Sequence, residues 1–177
     1  MSIPIRLLVL DVDGVLSRGD LTFDDQGRES KTFNVKDGLG IKLLQRSGIE
    51  VAIITGRVAG AVAHRAKALG IEHVIQGRED KGAAFTELCS TLGLTTSECA
   101  YMGDDWPDLS AMALCGLSAA PANASTEVLS RVDWVSRFNG GEGAVRELCE
   151  HVLRLEGHYE ALLQGYLTPT GVARMGS

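Results

Sequence analysis

Arg6-Leu7-Leu8-Val9-Leu10-Asp11-Val12-Asp13-Gly14-Val15-Leu16 is the stretch of sequence that decides the fold. Its unbroken apolar run, residues 7–10, is typical of a strand that is buried on both faces of a parallel sheet. Asp11 and Asp13 follow that run directly, and residues two apart on a strand point to the same side. Two carboxylates held so close favour a cation between them or a proton on one of them. An acidic turn after a core strand would also explain these residues.

Further short apolar runs follow, separated by segments of helical length. We expect strands at residues 51–54, 73–75, 100–102, 117–119 and 134–135. Helices are expected between them, the first capped by Asp37 and the last spanning residues 144–155. This alternation predicts an α/β fold, a three-layer Rossmann-like parallel sheet with helices on both faces.

Residues 20–35 predict a protruding β-hairpin. Leu21 and Phe23 alternate with Thr22, and residues 24–27 supply turn chemistry. A two-stranded ribbon is marginal alone, so it must pack on the body or on another subunit. The intervals between Asp13 and Thr55 and between the later motifs leave no room for a cap domain. We therefore expect one domain over residues 1–165 and a flexible tail over residues 166–177.

Composition narrows the possible partners and compartments. The chain of 177 residues has a formal net charge of −6, which disfavours nucleic acid as the main partner. No apolar stretch reaches the about 20 residues that span a membrane, and the start does not resemble a signal peptide. The four cysteines form no C-x-x-C pair. Free thiols in a reducing cytoplasm are the expected state.

Right-handed crossovers bring the carboxyl ends of all these strands to one rim of the sheet. The rim would collect one hydroxyl, one cation and several carboxylates: Thr55, Lys81, Asp11, Asp13, Asp104, Asp105 and Asp108. Oxygen ligands of this kind suit Mg²⁺. A magnesium ion, a lysine, a hydroxyl and backbone N–H groups together form a phosphate-binding set. One aspartate could then attack phosphorus, and a second could exchange a proton with the leaving oxygen and with water.

Each of these pieces has an ordinary explanation in isolation. Thr55-Gly56-Arg57 can be a helix entry, Lys81 a solvated surface lysine, and Gly103-Asp104-Asp105 a tight turn. Their order along the chain is what favours a site, because independent motifs at successive strand ends rarely coincide.

The residues resemble two nested families. The four motifs of the haloacid dehalogenase-like phosphatases are matched, in order, by Asp11-Val12-Asp13-Gly14-Val15, Thr55-Gly56, Lys81 and Gly103-Asp104-Asp105-Trp106-Pro107-Asp108. Within that superfamily, the chain resembles the 3-deoxy-D-manno-octulosonate 8-phosphate (KDO 8-phosphate) phosphatases. The segments that carry this resemblance are Lys36-Asp37-Gly38-Leu39-Gly40, Thr55-Gly56-Arg57, Leu69-Gly70-Ile71, Gln76-Gly77 and residues 139–147. The similarity covers roughly residues 5–155.

The resemblance implies roles by position. Asp11 would be the nucleophile that becomes an aspartyl-phosphate and a Mg²⁺ ligand, and Asp13 the acid/base that binds the metal through its backbone carbonyl. Asp104 would be the third ligand, supported by Asp108. Thr55, Gly56 and Lys81 would hold the phosphoryl group. The family forms homotetramers in which neighbouring hairpins and tails cover each site.

The resemblance also bears on the substrate. Phosphatases acting on the nine-carbon 2-keto-3-deoxynonulosonate 9-phosphate tend to carry a glutamate where Arg57 stands, so Arg57 favours the eight-carbon acid. Arginine suits a sugar-acid carboxylate, and Arg65 and Arg78 are expected to assist. The family commonly has Thr-Asp-Gly where this chain has Ser17-Arg18-Gly19, which leaves contacts at the hairpin base open. The predicted activity is hydrolysis of KDO 8-phosphate for lipopolysaccharide synthesis.

Two other classes remain as alternatives. A phospho-signalling receiver domain also uses acids, a threonine and a lysine on a parallel sheet, but its phosphoacceptor usually stands alone on a middle strand. A non-catalytic oligomerisation module of the same fold would have lost motif aspartates, and here the motif set is complete.

Overall fold

The computed structural model of the protein describes residues 3–169 and contains a six-stranded parallel sheet. The strands are β1 Leu7–Leu10, β4 Glu50–Ile54, β5 His73–Ile75, β6 Cys99–Met102, β7 Leu117–Ala120 and β8 Trp134–Val135. Their order in the sheet is β5-β4-β1-β6-β7-β8, and β1 pairs in parallel with both β4 and β6. The predicted α/β fold class is confirmed.

Helices cover both faces of this sheet. They are α1 Val35–Arg46, α2 Gly60–Leu69, α3 Lys81–Leu92, α4 Leu109–Met112, α5 Thr126–Leu129, α6 Ala144–Leu155 and α7 Tyr159–Leu167. Leu8 and Leu10 of β1 join the core under α1, α2 and α6. Leu7 and Val9 join the core under α3, α4 and α5. Alternate residues of β1 therefore pack on opposite layers, which is why its sequence is apolar throughout.

The predicted hairpin is present and short. Its strands, β2 Thr22–Phe23 and β3 Glu29–Ser30, share two paired positions, Thr22 with Ser30 and Phe23 with Glu29. Leu21 and Phe23 are exposed. A ribbon of this size has too little apolar burial to hold its position by packing alone.

The predicted cap of α1 is wrong. Asn34, not Asp37, precedes the helix, and its side-chain oxygen accepts hydrogen bonds from the backbone N–H groups of Lys36 (2.8 Å) and Asp37 (3.3 Å). Asp37 is buried inside the first turn, where its carboxylate accepts a hydrogen bond from the backbone N–H of Arg146 (2.9 Å) near the start of α6. A contact distant in sequence thus determines the position of Asp37.

The C-terminal region continues as helix beyond the predicted tail boundary. Helix α7 extends to Leu167, so the predicted start of the tail at residue 166 falls within a helix. Residues 170–177 of that predicted tail lie outside the described residues. Over residues 3–169, no helix combines the length and apolar character needed to span a membrane. The cysteines Cys89, Cys99, Cys115 and Cys149 are free, as expected.

Candidate active site

The carboxyl ends of three neighbouring strands form a cavity of about 680 Å³. Asp11 follows β1, Thr55 follows β4, and Asp104 lies two residues beyond β6. Most of the predicted site residues line this cavity: Asp11, Asp13, Thr55, Gly56, Arg57, Lys81, Asp104 and Asp108. The structure thus brings together the residues that the four motifs contribute from distant parts of the chain.

A buried lysine connects two carboxylates at the floor of the cavity. The Lys81 ammonium lies 2.9 Å from Asp11 Oδ1 and 2.8 Å from Asp108 Oδ1. The Lys81 side chain is only 5% exposed, so water cannot replace these partners. The neighbouring charges of Asp11 and Asp108 outweigh the effect of burial and raise the pKa of Lys81, which keeps it charged.

Asp108 lines the cavity and supports the site through hydrogen bonds. Its Oδ1 accepts hydrogen bonds from Lys81 and, at 3.2 Å, from the Tyr101 hydroxyl. Its Oδ2 accepts from the backbone N–H groups of Asp104 (3.0 Å) and Asp105 (3.3 Å). These four donors occupy both oxygens and fix the loop that presents the Asp104 side chain.

The loop after β1 is shaped by Gly14. Its φ of 86° lies in the left-handed region, which glycine adopts without strain. A Cβ at this position would overlap the Asp104 carboxylate. Glycine therefore permits both the sharp turn after Asp13 and the close approach of Asp104 to Asp11.

The acidic groups of the floor carry more negative charge than Lys81 neutralises. Burial and the charge of Asp108 raise the pKa of Asp11. Burial and the charges of Asp11 and Asp108 raise the pKa of Asp104. Carboxylates this close together repel one another when all are charged. One of them therefore keeps a proton unless a further cation lies among them.

The donor set fits Mg²⁺. Oxygen atoms of Asp11, Asp104 and Asp108 all lie within 4.8 Å of one another. Carboxylate oxygens are the ligands that Mg²⁺ prefers. Since the oxygens of Asp108 are engaged by four donors, Asp11 and Asp104 are the side chains available to a metal. The Asp13 side chain is not part of this carboxylate group and is directed toward Lys31 of the hairpin.

Asp13 is held by a group of charges that the sequence did not indicate. Lys31, which directly follows β3, donates a hydrogen bond of 2.6 Å to Asp13 Oδ1 and one of 3.1 Å to Glu29 Oε1. Glu29 Oε2 accepts a hydrogen bond of 2.8 Å from Arg57, whose Nε lies 3.9 Å from Asp13 Oδ2. Arg57 thus lines the cavity, and its guanidinium is hydrogen-bonded to Glu29 of the hairpin.

Two predicted substrate-binding arginines do not line the cavity within the described part of this chain. Arg78 donates to the carboxylates of Asp80 and Glu87 at 2.7–3.2 Å. Arg65 donates to the backbone oxygen of Asn34 at 3.3 Å and lies over the Phe33 ring. Glu79 lines the cavity instead, although its sequence context gives no signal.

Arg18 lies outside this cavity. Its guanidinium lies 3.5 Å from the carboxylates of Asp20 and Glu142, in a smaller polar pocket.

Comparisons with known proteins identify the family of this chain. The sequence profile of the haloacid dehalogenase-like hydrolases matches residues 73–148. The chain is 49% identical over 157 residues to the KDO 8-phosphate phosphatase KdsC of Yersinia pestis, covering 86% of this chain and 84% of that protein.

Two solved structures are also similar. One is the KDO 8-phosphate phosphatase of Moraxella catarrhalis in complex with magnesium, phosphate and KDO (TM-score 0.90, 43% identity, 92% of this chain and 93% of that chain). The other is a probable YrbI family phosphatase of Pseudomonas syringae (TM-score 0.92, 48% identity, 94% of each chain).

Proposed function

Because this chain belongs to the haloacid dehalogenase-like hydrolases, and within them to the KDO 8-phosphate phosphatase family, we propose that it hydrolyses a sugar-acid phosphate with Mg²⁺ as cofactor. The observation that carries the proposal is the Asp11–Lys81–Asp108 arrangement beside Asp104 and Thr55. In this proposal Asp11 is the nucleophile, Lys81 is the fixed cation, and Asp11 and Asp104 are metal ligands, all of them lining one cavity.

The residues divide the chemistry between them. An Asp11 oxygen attacks phosphorus, the bond from phosphorus to the sugar oxygen breaks, and Asp13 gives that oxygen a proton. Asp13 then takes a proton from the water that attacks the aspartyl-phosphate, which releases phosphate and restores Asp11. Lys81 and Thr55, with the backbone at Gly56, hold the phosphoryl oxygens.

Asp11, Asp104 and the backbone carbonyl of Asp13 would hold Mg²⁺. The bound ion supplies charge neutralisation at the phosphoryl oxygens. A complex of the Moraxella relative with magnesium, phosphate and KDO supports both the cofactor and the substrate class.

We propose KDO 8-phosphate as the substrate, as in the Yersinia relative. The Arg57 side chain is 46% exposed and lines the cavity, so it can reach a sugar-acid carboxylate. The nine-carbon 2-keto-3-deoxynonulosonate 9-phosphate remains the alternative. The proposed setting is lipopolysaccharide synthesis in the cytoplasm.

We also propose a homotetramer in which hairpins cover neighbouring sites. Leu21 and Phe23 of the hairpin are 51% and 55% exposed, and Val58 and Trp106 near the cavity are 75% and 65% exposed. Exposed apolar side chains on the hairpin and next in sequence to cavity-lining residues favour an interaction surface here. Light scattering of the purified protein tests this, and a monomer at micromolar concentration would contradict it.

The activity is tested by phosphate release from KDO 8-phosphate, the nine-carbon analogue and simple sugar phosphates, with and without Mg²⁺. We expect the highest kcat/KM for KDO 8-phosphate and no turnover by Asp11→Asn. Preference for the nine-carbon acid would contradict the substrate assignment alone. A folded, Mg²⁺-binding wild type that releases no phosphate would favour the non-catalytic alternative.

A further inference from the structure

We infer that Lys31 is a positioning residue for Asp13, through which the hairpin sets the direction of the acid/base side chain. The inference rests on the proposed function and adds a residue that the four motifs do not contain. It is carried by the contact between the Lys31 ammonium and Asp13 Oδ1 at 2.6 Å, made across 18 residues of sequence.

Burial distinguishes this contact from an ordinary surface ion pair. The Lys31 side chain is only 2% exposed, and the Asp13 and Glu29 side chains are 23% and 16% exposed. Exposed ion pairs rarely fix a side chain because water competes for both partners. Here the ammonium lies among protein atoms and is shared by two carboxylates, so its direction is determined.

The contact also determines where Asp13 does not point. Asp11, Asp104 and Asp108 form the close carboxylate group at the cavity floor, and Asp13 is absent from it. Lys31 binds Oδ1 of Asp13, while Arg57 lies 3.9 Å from Oδ2. These two cations hold the Asp13 carboxylate toward the hairpin side of the cavity, away from the group that would bind the metal. In the proposed reaction, an acid/base held there would exchange its proton with the leaving oxygen and would not bind the metal through its side chain.

A purely structural role for Lys31 makes a different prediction. The hairpin has two paired positions, and the Glu29–Arg57 contact of 2.8 Å also connects it to the body. If Lys31 only fastened the hairpin, removing Glu29 and removing Lys31 would have similar effects. If Lys31 positions Asp13, then Glu29→Gln lowers kcat for KDO 8-phosphate far less than Lys31→Met does, because the Lys31–Asp13 contact remains, and its effect through Arg57 falls on KM.

Two substrates separate the proton-dependent step from the rest of the reaction. When Asp11 attacks KDO 8-phosphate, the departing alkoxide oxygen keeps the electron pair of the broken bond and needs a proton from Asp13. When Asp11 attacks p-nitrophenyl phosphate, p-nitrophenolate departs as a stable anion and needs no proton. The first release of p-nitrophenolate after rapid mixing therefore reports attack by Asp11 without the acid.

The test compares Lys31→Met and Glu29→Gln with Lys42→Met, which removes an exposed lysine of α1. General acid–base catalysis contributes about 10²–10⁴-fold, so we expect misplacing Asp13 to lower kcat for KDO 8-phosphate by about 10–100-fold. For Lys31→Met, the first release of p-nitrophenolate should fall by less than about threefold, because that release needs no general acid. Glu29→Gln and Lys42→Met should show no such difference between substrates.

The inference would be overturned by equal loss on both substrates, by equal behaviour of Lys31→Met and Glu29→Gln, or by wild-type kinetics of Lys31→Met. Thermal unfolding and calorimetric Mg²⁺ titration of each variant verify the fold and the metal site. If Lys31→Met does not fold, Lys31→Gln replaces it and must show the same direction of difference. Failure of the proposed function is recognised separately, because the folded wild type would then release no phosphate from KDO 8-phosphate.

Discussion

Replacing Lys81 by methionine should destabilise the protein far more than the loss of one lysine usually does. The ammonium lies within 2.9 Å of two carboxylates, and the side chains of Lys81, Asp11 and Asp108 are 5%, 9% and 1% exposed. Methionine retains most of the volume and removes the charge. Asp11 and Asp108 then remain buried without their cation.

The magnitude follows from that burial. Removing one member of a buried ion pair typically lowers the free energy of unfolding by about 3–5 kcal/mol. For a chain of this length, each 1 kcal/mol shifts Tm by about 2–4 °C. We therefore expect Tm to fall by about 6–20 °C without Mg²⁺. Saturating Mg²⁺ should recover part of the loss, and its stabilising effect should exceed that in the wild type, because a neighbouring cation no longer repels the ion.

Thermal unfolding with and without Mg²⁺, beside urea titrations, measures both effects. Lys67→Met, an exposed position on α2, is the matched control and should change the free energy of unfolding by less than about 0.5 kcal/mol. A loss below about 1 kcal/mol for Lys81→Met would place Lys81 among surface ion pairs and refute the reasoning.

Three further substitutions test the loop, the helix cap and a buried acid. Gly14→Ala should weaken Mg²⁺ binding at least tenfold, about 1.4 kcal/mol, in calorimetric titration; unchanged affinity would contradict the loop geometry. Asn34→Ala should lower the free energy of unfolding by about 1 kcal/mol in urea titration, and an unchanged value would contradict the cap. Burial raises the pKa of Asp37 to about 6, so its contribution to stability is most favourable below its ordinary pKa of 3.8 and is lost as the pH rises through about 6. The stability of Asp37→Asn relative to the wild type should therefore be about 1 kcal/mol greater at pH 8 than at pH 5, and a difference of opposite sign would contradict this assignment.

The sheet and the floor of the site were predictable because local patterns determine them. A run such as residues 7–10 is apolar because both of its faces are buried, and the carboxylates that follow must lie where the strand ends. The order of the motifs then places Asp11, Thr55, Lys81 and Asp104 at one rim without knowledge of distances.

Contacts between distant segments were not predictable in the same way. The hairpin sequence does not indicate the direction of the Lys31 side chain. Its contact with Asp13 is therefore not predictable from the sequence. Arg78 has the sequence context of a site residue, but its guanidinium donates hydrogen bonds to Asp80 and to Glu87 of α3, and it does not line the cavity. Asp37 precedes the apolar residues of α1 in sequence, as a cap would, but it lies inside that helix and its carboxylate accepts a hydrogen bond from the backbone N–H of Arg146 in α6.

The most direct test of the account is to trap the phosphorylated residue. Protein quenched in acid during turnover of KDO 8-phosphate with Mg²⁺, then treated with borohydride, should carry homoserine at position 11, identified by mass spectrometry of the peptide. Phosphoryl transfer to Asp11 predicts this product in the wild type and its absence in Asp11→Asn. Reduction at another carboxylate, or turnover at a normal rate with Asp11 never modified, would contradict the assignment of Asp11 as the nucleophile.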